Sequence, residues 1–238
     1  EEVKNRQANF GLISGTEYLA GASNCPYDNC KALYNQYNGI ANFQPRIGIA
    51  WTPGGKNTVI RAAVTTSSFL EGTGTNLRLT LNPPFATEHG ISYTPSQTPS
   101  TLADGYLPFV SNAGNQFQGA GLRLWDPNIR PAVSAQWNFT VQRSFGKTST
   151  LQVGYVGQRN THLMVPIWVS QGVLNADGSV SPSPYLSGNP ALQNEIGNAR
   201  LTATVANQDY QAMQASFQKR LSNGLEFLAN YTYSKCLT

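Results

Sequence analysis

Three stretches of the chain alternate apolar and polar residues on both sides of a short turn. In "RIGIAWTPGGKNTVIRAAVTT", Ile47, Ile49 and Trp51 alternate with Gly48 and Ala50, and past the turn Ile60, Ala62 and Val64 alternate with Arg61, Ala63 and Thr65. In "AQWNFTVQRSFGKTSTLQVGYVGQ", Trp137, Phe139 and Val141 oppose Asn138, Thr140 and Gln142, and Leu151, Val153 and Tyr155 oppose Gln152 and Gly154. In "YQAMQASFQKRLSNGLEFLANYTYSK", Met213, Ala215 and Phe217 share one face before an Asn-Gly turn. Leu225, Phe227, Ala229, Tyr231 and Tyr233 then stand against Glu226, Leu228, Asn230, Thr232 and Ser234. Successive side chains of a strand point to opposite faces, so a period of two makes each run a strand and each pair a hairpin. Hairpins are expected over 45–66, 133–157 and 209–235.

Each of these strands has about 9–12 residues, longer than the usual 5–6 and matched to a tilted strand crossing a bilayer. Turns within hairpins take about 4–6 residues, whereas 68–132 and 159–208 separate one hairpin from the next. Those segments are rich in Pro, Gly, Asn, Ser and Thr, as in "TPSQTPSTLADGY" and "VLNADGSVSPSPYLSGNP". Short periplasmic turns alternating with long extracellular loops are the habit of outer-membrane barrels.

The expected fold is therefore all-β: an antiparallel up-and-down transmembrane β-barrel segment of about 6–8 long strands, not a complete barrel. Residues 1–41 read as loop with a doubtful strand around Asn9–Leu19. Trp51, Trp137, Phe139, Tyr155, Leu225, Phe227, Tyr231 and Tyr233 are expected to face lipid, with the Trp and Tyr side chains in an interface girdle. Asn, Gln, Thr, Gly and Ser would line a wet lumen. A soluble sandwich is the competing arrangement, and it would cover the same apolar face with a second sheet.

Composition supports the β reading. Only 12% of residues are charged, and 22 Gly and 14 Pro suit long polar loops rather than helices. The net charge of +4 is spread thinly, with no basic cluster to suggest a nucleic-acid partner. No run of about 18 apolar residues marks a transmembrane helix, a test that does not detect alternating β spans. The opening "EEVKNRQ" lacks the pattern of a signal peptide, which is expected to be absent or already removed.

Candidate chemistry is sparse. His89 and His162 fall in separate expected loops, and no nucleophile elbow, zincin helix or phosphate-binding loop accompanies them. No catalytic residue, cofactor site or metal site is expected, and the protein is read as a non-enzyme. "NADGS" (175–179) reads as a plain turn, because a calcium site needs more carboxylates. Tyr93, Tyr106, Phe109, Trp125 and Trp168 are candidate ligand contacts, since aromatic rings in polar loops suit stacking on sugars or other flat ligands; packing the loops together is their other use. Arg61 and Arg220 fall on the lumenal face. Arg143 shares the face of Trp137 and Phe139 and is expected at the interface beside the turn, because mid-membrane placement costs about 2–4 kcal/mol. Cys25 and Cys30 bracket a tight loop, where a disulfide suits an oxidising compartment and two free thiols are the alternative.

At these same hairpins the sequence resembles the TonB-dependent outer-membrane receptors, and within them the Oar-like group with a carboxypeptidase-regulatory-like domain found in Acidobacteria. The resemblance is carried by "NFQPRIGIAWTPGGKNTVIRAA" (42–63), "LNPPF" (81–85), "QWNFTVQRSFGKTSTLQVGYVGQRNTHL" (136–163) and "YQAMQASFQKRLSNGLEFLANYTYSK" (210–235). It implies a 22-stranded barrel in the cell outer membrane, around an N-terminal plug, coupled to the TonB complex. Such a receptor binds a scarce or bulky solute (a siderophore, glycan or similar) at its outer loops and imports it with energy from the inner-membrane proton gradient. No plug, TonB box or regulatory-like domain is visible here, so the chain reads as an internal piece of the barrel. An extracellular glycan-binding or adhesive module, and a structural subunit pairing through open sheet edges, are the alternatives.

Overall fold

A computed structural model describes residues 4–39, 43–55, 57–69, 79–86, 121–188, 199–222 and 224–238. Two compact units account for it. One comprises Tyr37–Gly72, Arg130–Val165 and Thr204–Thr238; the other comprises Glu1–Gln36, Thr73–Ile129 and Pro166–Ala203.

The first unit is an antiparallel sheet of β3 (Arg46–Trp51), β4 (Thr58–Phe69), β6 (Ala132–Phe145), β11 (Leu225–Leu237), β7 (Ser149–Trp168) as far as Val165 and β10 (Arg200–Ser222) from Thr204 onward. Sheet order follows chain order, so the strands form an up-and-down meander. The expected hairpins are all present, with Ile47 opposite Val64, Phe139 opposite Tyr155 and Ala215 opposite Tyr231. Gly54, Gly55, Gly146 and Gly224 take positive φ angles at the three short turns, a conformation open to glycine because it has no Cβ. The sheet is open, with β3 and β11 unpaired along their outer edges among the described residues.

Two strands run well beyond the expected limits. Strand β7 has 20 residues and β10 has 23, so 159–168 and 200–208 are strand rather than loop. The apolar–polar alternation fades in "RNTHLMVPIW" because pairing, not a lipid-facing requirement, holds that part of the chain extended. His162, read from sequence as a loop residue, lies inside β7 with a φ of 58°, just past the last β6 pair at Thr161.

The second unit has small cores of its own. The doubtful strand near Asn9–Leu19 resolves into a hairpin of β1 (Ala8–Gly11) and β2 (Thr16–Leu19). Phe10, Leu122, Leu124, Val169, Leu186 and Ala199 form one buried cluster, and Ala20, Leu33 and Leu79 form another. A three-residue strand, β5 (Arg123–Trp125), pairs in parallel with Arg200–Thr202 of β10. A small hairpin of β8 (Val173–Leu174) and β9 (Val180–Ser181) completes the described strands.

Cys25 and Cys30 are joined in a disulfide with Cα atoms 5.8 Å apart. Closing so short a loop restricts the unfolded chain by about 2 kcal/mol. Under non-reducing denaturing conditions, alkylation is expected to label only Cys236; after reduction, all three cysteines should react. Three labels without reductant would contradict the pairing.

Candidate membrane-facing site

The strand register assembles the odd-numbered residues of β3, β6, β7, β10 and β11 and the even-numbered residues of β4 into one face. Row by row, Trp51, Ile60, Val141 and Val153 align, then Ile49, Ala62, Phe139 and Tyr155, then Ile47, Val64, Trp137 and Gly157. On the last hairpin Met213, Ala215 and Phe217 align with Tyr233, Tyr231 and Ala229. Among the described residues several large members of this face are uncovered: Trp51 is 59% exposed, Phe139 48% and Tyr233 67%. Leu225, Phe227, Tyr155 and Tyr231 are exposed on it too. A single exposed apolar residue is ordinary, but a contiguous face of this kind marks an interaction surface. A soluble sandwich would have to bury it.

Charges bound the face at both ends. Arg143 and Lys219 lie toward the turns, Arg143 with its guanidinium 5.7 Å from the Phe145 ring centroid. Arg159, Asp209 and Lys235 lie toward the opposite end. On β7 the run from Leu151, opposite Arg143, to Arg159 covers eight residues, ~26 Å along the strand. At the usual barrel tilt this is an apolar band roughly 20 Å tall, near the height a membrane barrel presents to lipid. Trp51 adjoins its turn, whereas Trp137 sits two rows further from the turns.

The Trp137 indole lies against Gly157 on the neighbouring strand, where an added Cβ would collide with the ring. Gly157→Val is therefore expected to force Trp137 off its rotamer and lower stability by about 1–3 kcal/mol. A denaturant midpoint would read the loss, and Trp137→Ala in the same chain should restore part of it. Equal midpoints for Gly157→Val and the parent would refute the packing.

The opposite face is mostly polar, with Val59, Val156 and Leu228 as exceptions. Arg61 donates to Gln142 at 2.9 Å. Gln158 donates to Ser134 at 3.1 Å and to Asn160 at 3.0 Å, and Asn160 donates to Gln208 at 2.8 Å. Gln208 reaches the exposed thiol of Cys236 at 3.5 Å. This ladder joins four strands.

In the other unit, the sequence signal for ligand contacts leads to mixed places. Trp125 belongs to β5, its indole Nε1 buried and its ring against the second cluster, so it packs rather than presents a free face. Packing won because β5 is drawn into the core. Trp168 stays partly exposed, with the Arg200 guanidinium 4.1 Å from its ring centroid. Tyr93, Tyr106 and Phe109 lie outside the described residues. In "NADGS" the Asp177 carboxylate accepts from the Ser179 hydroxyl at 2.6 Å and its N–H at 2.9 Å, which holds its pKa below the usual carboxylate value and closes an ordinary Asx turn. Burial, with Tyr18 alongside, pushes the Tyr27 hydroxyl up to about 12.

Two asparagines escaped the sequence reading. Asn82 donates to the Ala8 and Arg123 carbonyls, both at 2.6 Å, and accepts from the Arg123 N–H at 2.8 Å. Asn9 donates to the Trp125 carbonyl at 2.9 Å and accepts from its N–H at 3.0 Å. Alternate residues of a strand offer their backbone groups to the same edge. These amides therefore act as strand substitutes along the edge of β5 that β10 does not pair. Nothing in "QANFGL" or "LTLNPPF" distinguishes a clamping asparagine from a turn asparagine.

No curated protein and no solved structure matches the chain. A family model does match, over residues 1–238, described as an outer membrane beta barrel domain. With its meander of long strands and its uncovered apolar band, the chain belongs to the outer membrane beta barrel domain family, and its place is the outer membrane.

Proposed function

We propose that this chain forms part of the barrel wall of an energised outer-membrane receptor, a binding and transport protein rather than an enzyme. The observation that carries the membrane half of this reading is the uncovered apolar band, bounded by charge at both ends. The receptor half rests on the resemblance at the three hairpins and on the separately cored loop unit, which is suited to solute capture. In this reading β3 and β11 continue their hydrogen bonding into further strands of a larger barrel, since free edges of such length otherwise invite aggregation. The plug and the TonB complex are the protein partners it implies.

Single cysteines at Phe139 and Asn138 of the intact protein, with Cys236 replaced, test the wall. In outer-membrane vesicles a polarity-sensitive probe should report lipid at position 139 and water at 138. Shielding at both positions would refute the lipid-facing assignment. Binding of the intact protein to a purified TonB periplasmic domain tests the energised half; no binding would leave a barrel but remove the receptor.

A further inference from the structure

We infer that the end of the lipid-facing band away from the turns is a docking surface for phosphate-bearing lipid headgroups. This rests on the lipid-facing reading above and adds which lipid chemistry the surface selects. Arg159, Asp209, Gln211, Lys235 and Tyr155 all occupy the face that carries the apolar band, on the three adjacent strands β7, β10 and β11. Their contacts place them side by side. Arg159 Nε lies 3.8 Å from Asp209 and keeps 59% of its side chain exposed. The Tyr155 hydroxyl donates to Gln211 at 3.1 Å, and Gln211 pairs in register with Lys235.

Two cations against one carboxylate leave the patch net positive. Asp209 meets Arg159 at its Nε, and the solvent-exposed remainder of the fork is suited to bidentate contact with phosphate. Lys235 follows Tyr233 on β11, next in the outward sequence past the last aromatic side chain. A cation there extends its stem along the apolar surface and puts its charge among headgroups. The other end repeats the sign, since Arg143 and Lys219 are both basic. Four basic residues and one acid on the outward face of β6, β7, β10 and β11 complement anionic lipid, not a zwitterionic or acidic surface.

The test uses the intact protein purified in non-ionic detergent, with native mass spectrometry counting bound lipid. Bis-phosphorylated lipid A, the same lipid stripped of phosphate, and inorganic pyrophosphate are titrated separately. The phosphorylated lipid should be retained, and Arg159→Gln with Lys235→Gln should weaken it about 10- to 30-fold. The dephosphorylated lipid should bind more weakly to the parent and be indifferent to the substitutions. Equal binding of both lipids, or an unchanged double variant, overturns the proposal. So does pyrophosphate binding as tightly as the phospholipid, which would make free phosphate the ligand. In parallel, brominated acyl chains should quench the fluorescence component lost in Trp137→Phe. Quenching without phosphate selectivity removes only this inference, whereas no quenching removes the lipid-facing reading itself.

Discussion

Phe139→Arg is expected to abolish stable membrane assembly, while Asn138→Arg next to it is tolerated. Phe139 lies mid-band: it is four residues from Arg143 on its own strand, and its partner Tyr155 is four residues from Arg159. A guanidinium at that depth has no water and no carboxylate, at a cost of about 2–4 kcal/mol in a membrane barrel. Asn138 points to the polar face, opposite Val156 and Ala63, where an arginine can reach solvent. Its cost should stay within about 0.5 kcal/mol. Burial in a soluble core would also penalise arginine at 139, so depth dependence separates the two environments. Arginine placed in turn at Val141, Phe139, Trp137 and Ala135 should cost most in the middle and least at the ends. Folding titrations into vesicles would measure this, and a flat profile would argue against a bilayer.

Asn82→Leu is expected to unlock the loop unit. Leucine matches asparagine in size, so the change removes hydrogen bonds more than volume. It removes the acceptor of the Arg123 N–H and a donor from the carbonyls of Ala8 and Arg123, at a site where Asn82 is only 2% exposed. An unpaired buried backbone group costs about 1–3 kcal/mol, so the total is roughly 3–5 kcal/mol. Hydrogen exchange at the Arg123 amide should accelerate about 100-fold or more, the kinetic equivalent of that loss. Asn82→Asp preserves the shape and the acceptor but sets a carboxylate against two carbonyl oxygens. It should be at least as damaging, which a simple packing role would not produce. Unchanged exchange in both variants would show that β5 is held by other means.

The contrast between these two sites shows where sequence reasoning reached. The alternation through Phe139 and Leu225–Tyr233 needs no tertiary information, because a strand's period of two sorts side chains onto two faces whatever lies beyond them. The hairpin turns were equally legible, since glycine and Asn-Gly at a reversal answer a local backbone demand. Arg143 falls beside the turn, where its place in the sequence next to "SFGKTS" put it. The exposed apolar band was thus largely written in one-dimensional order.

The extent of β7 and β10, the burial of Trp125 and the duties of Asn9 and Asn82 were decided only by the fold. Past Gln158 the outward face no longer has to be apolar, so hydrophobic periodicity, the one signal that marks a strand in sequence, disappears while pairing continues. Asn82 acts on a strand 41 residues away, and Asn9 on one 116 away. A side-chain amide that completes a strand edge carries the same local signature as one that closes a turn. The alternation was set residue by residue along the chain, whereas these contacts exist only once distant backbone groups meet and require partners.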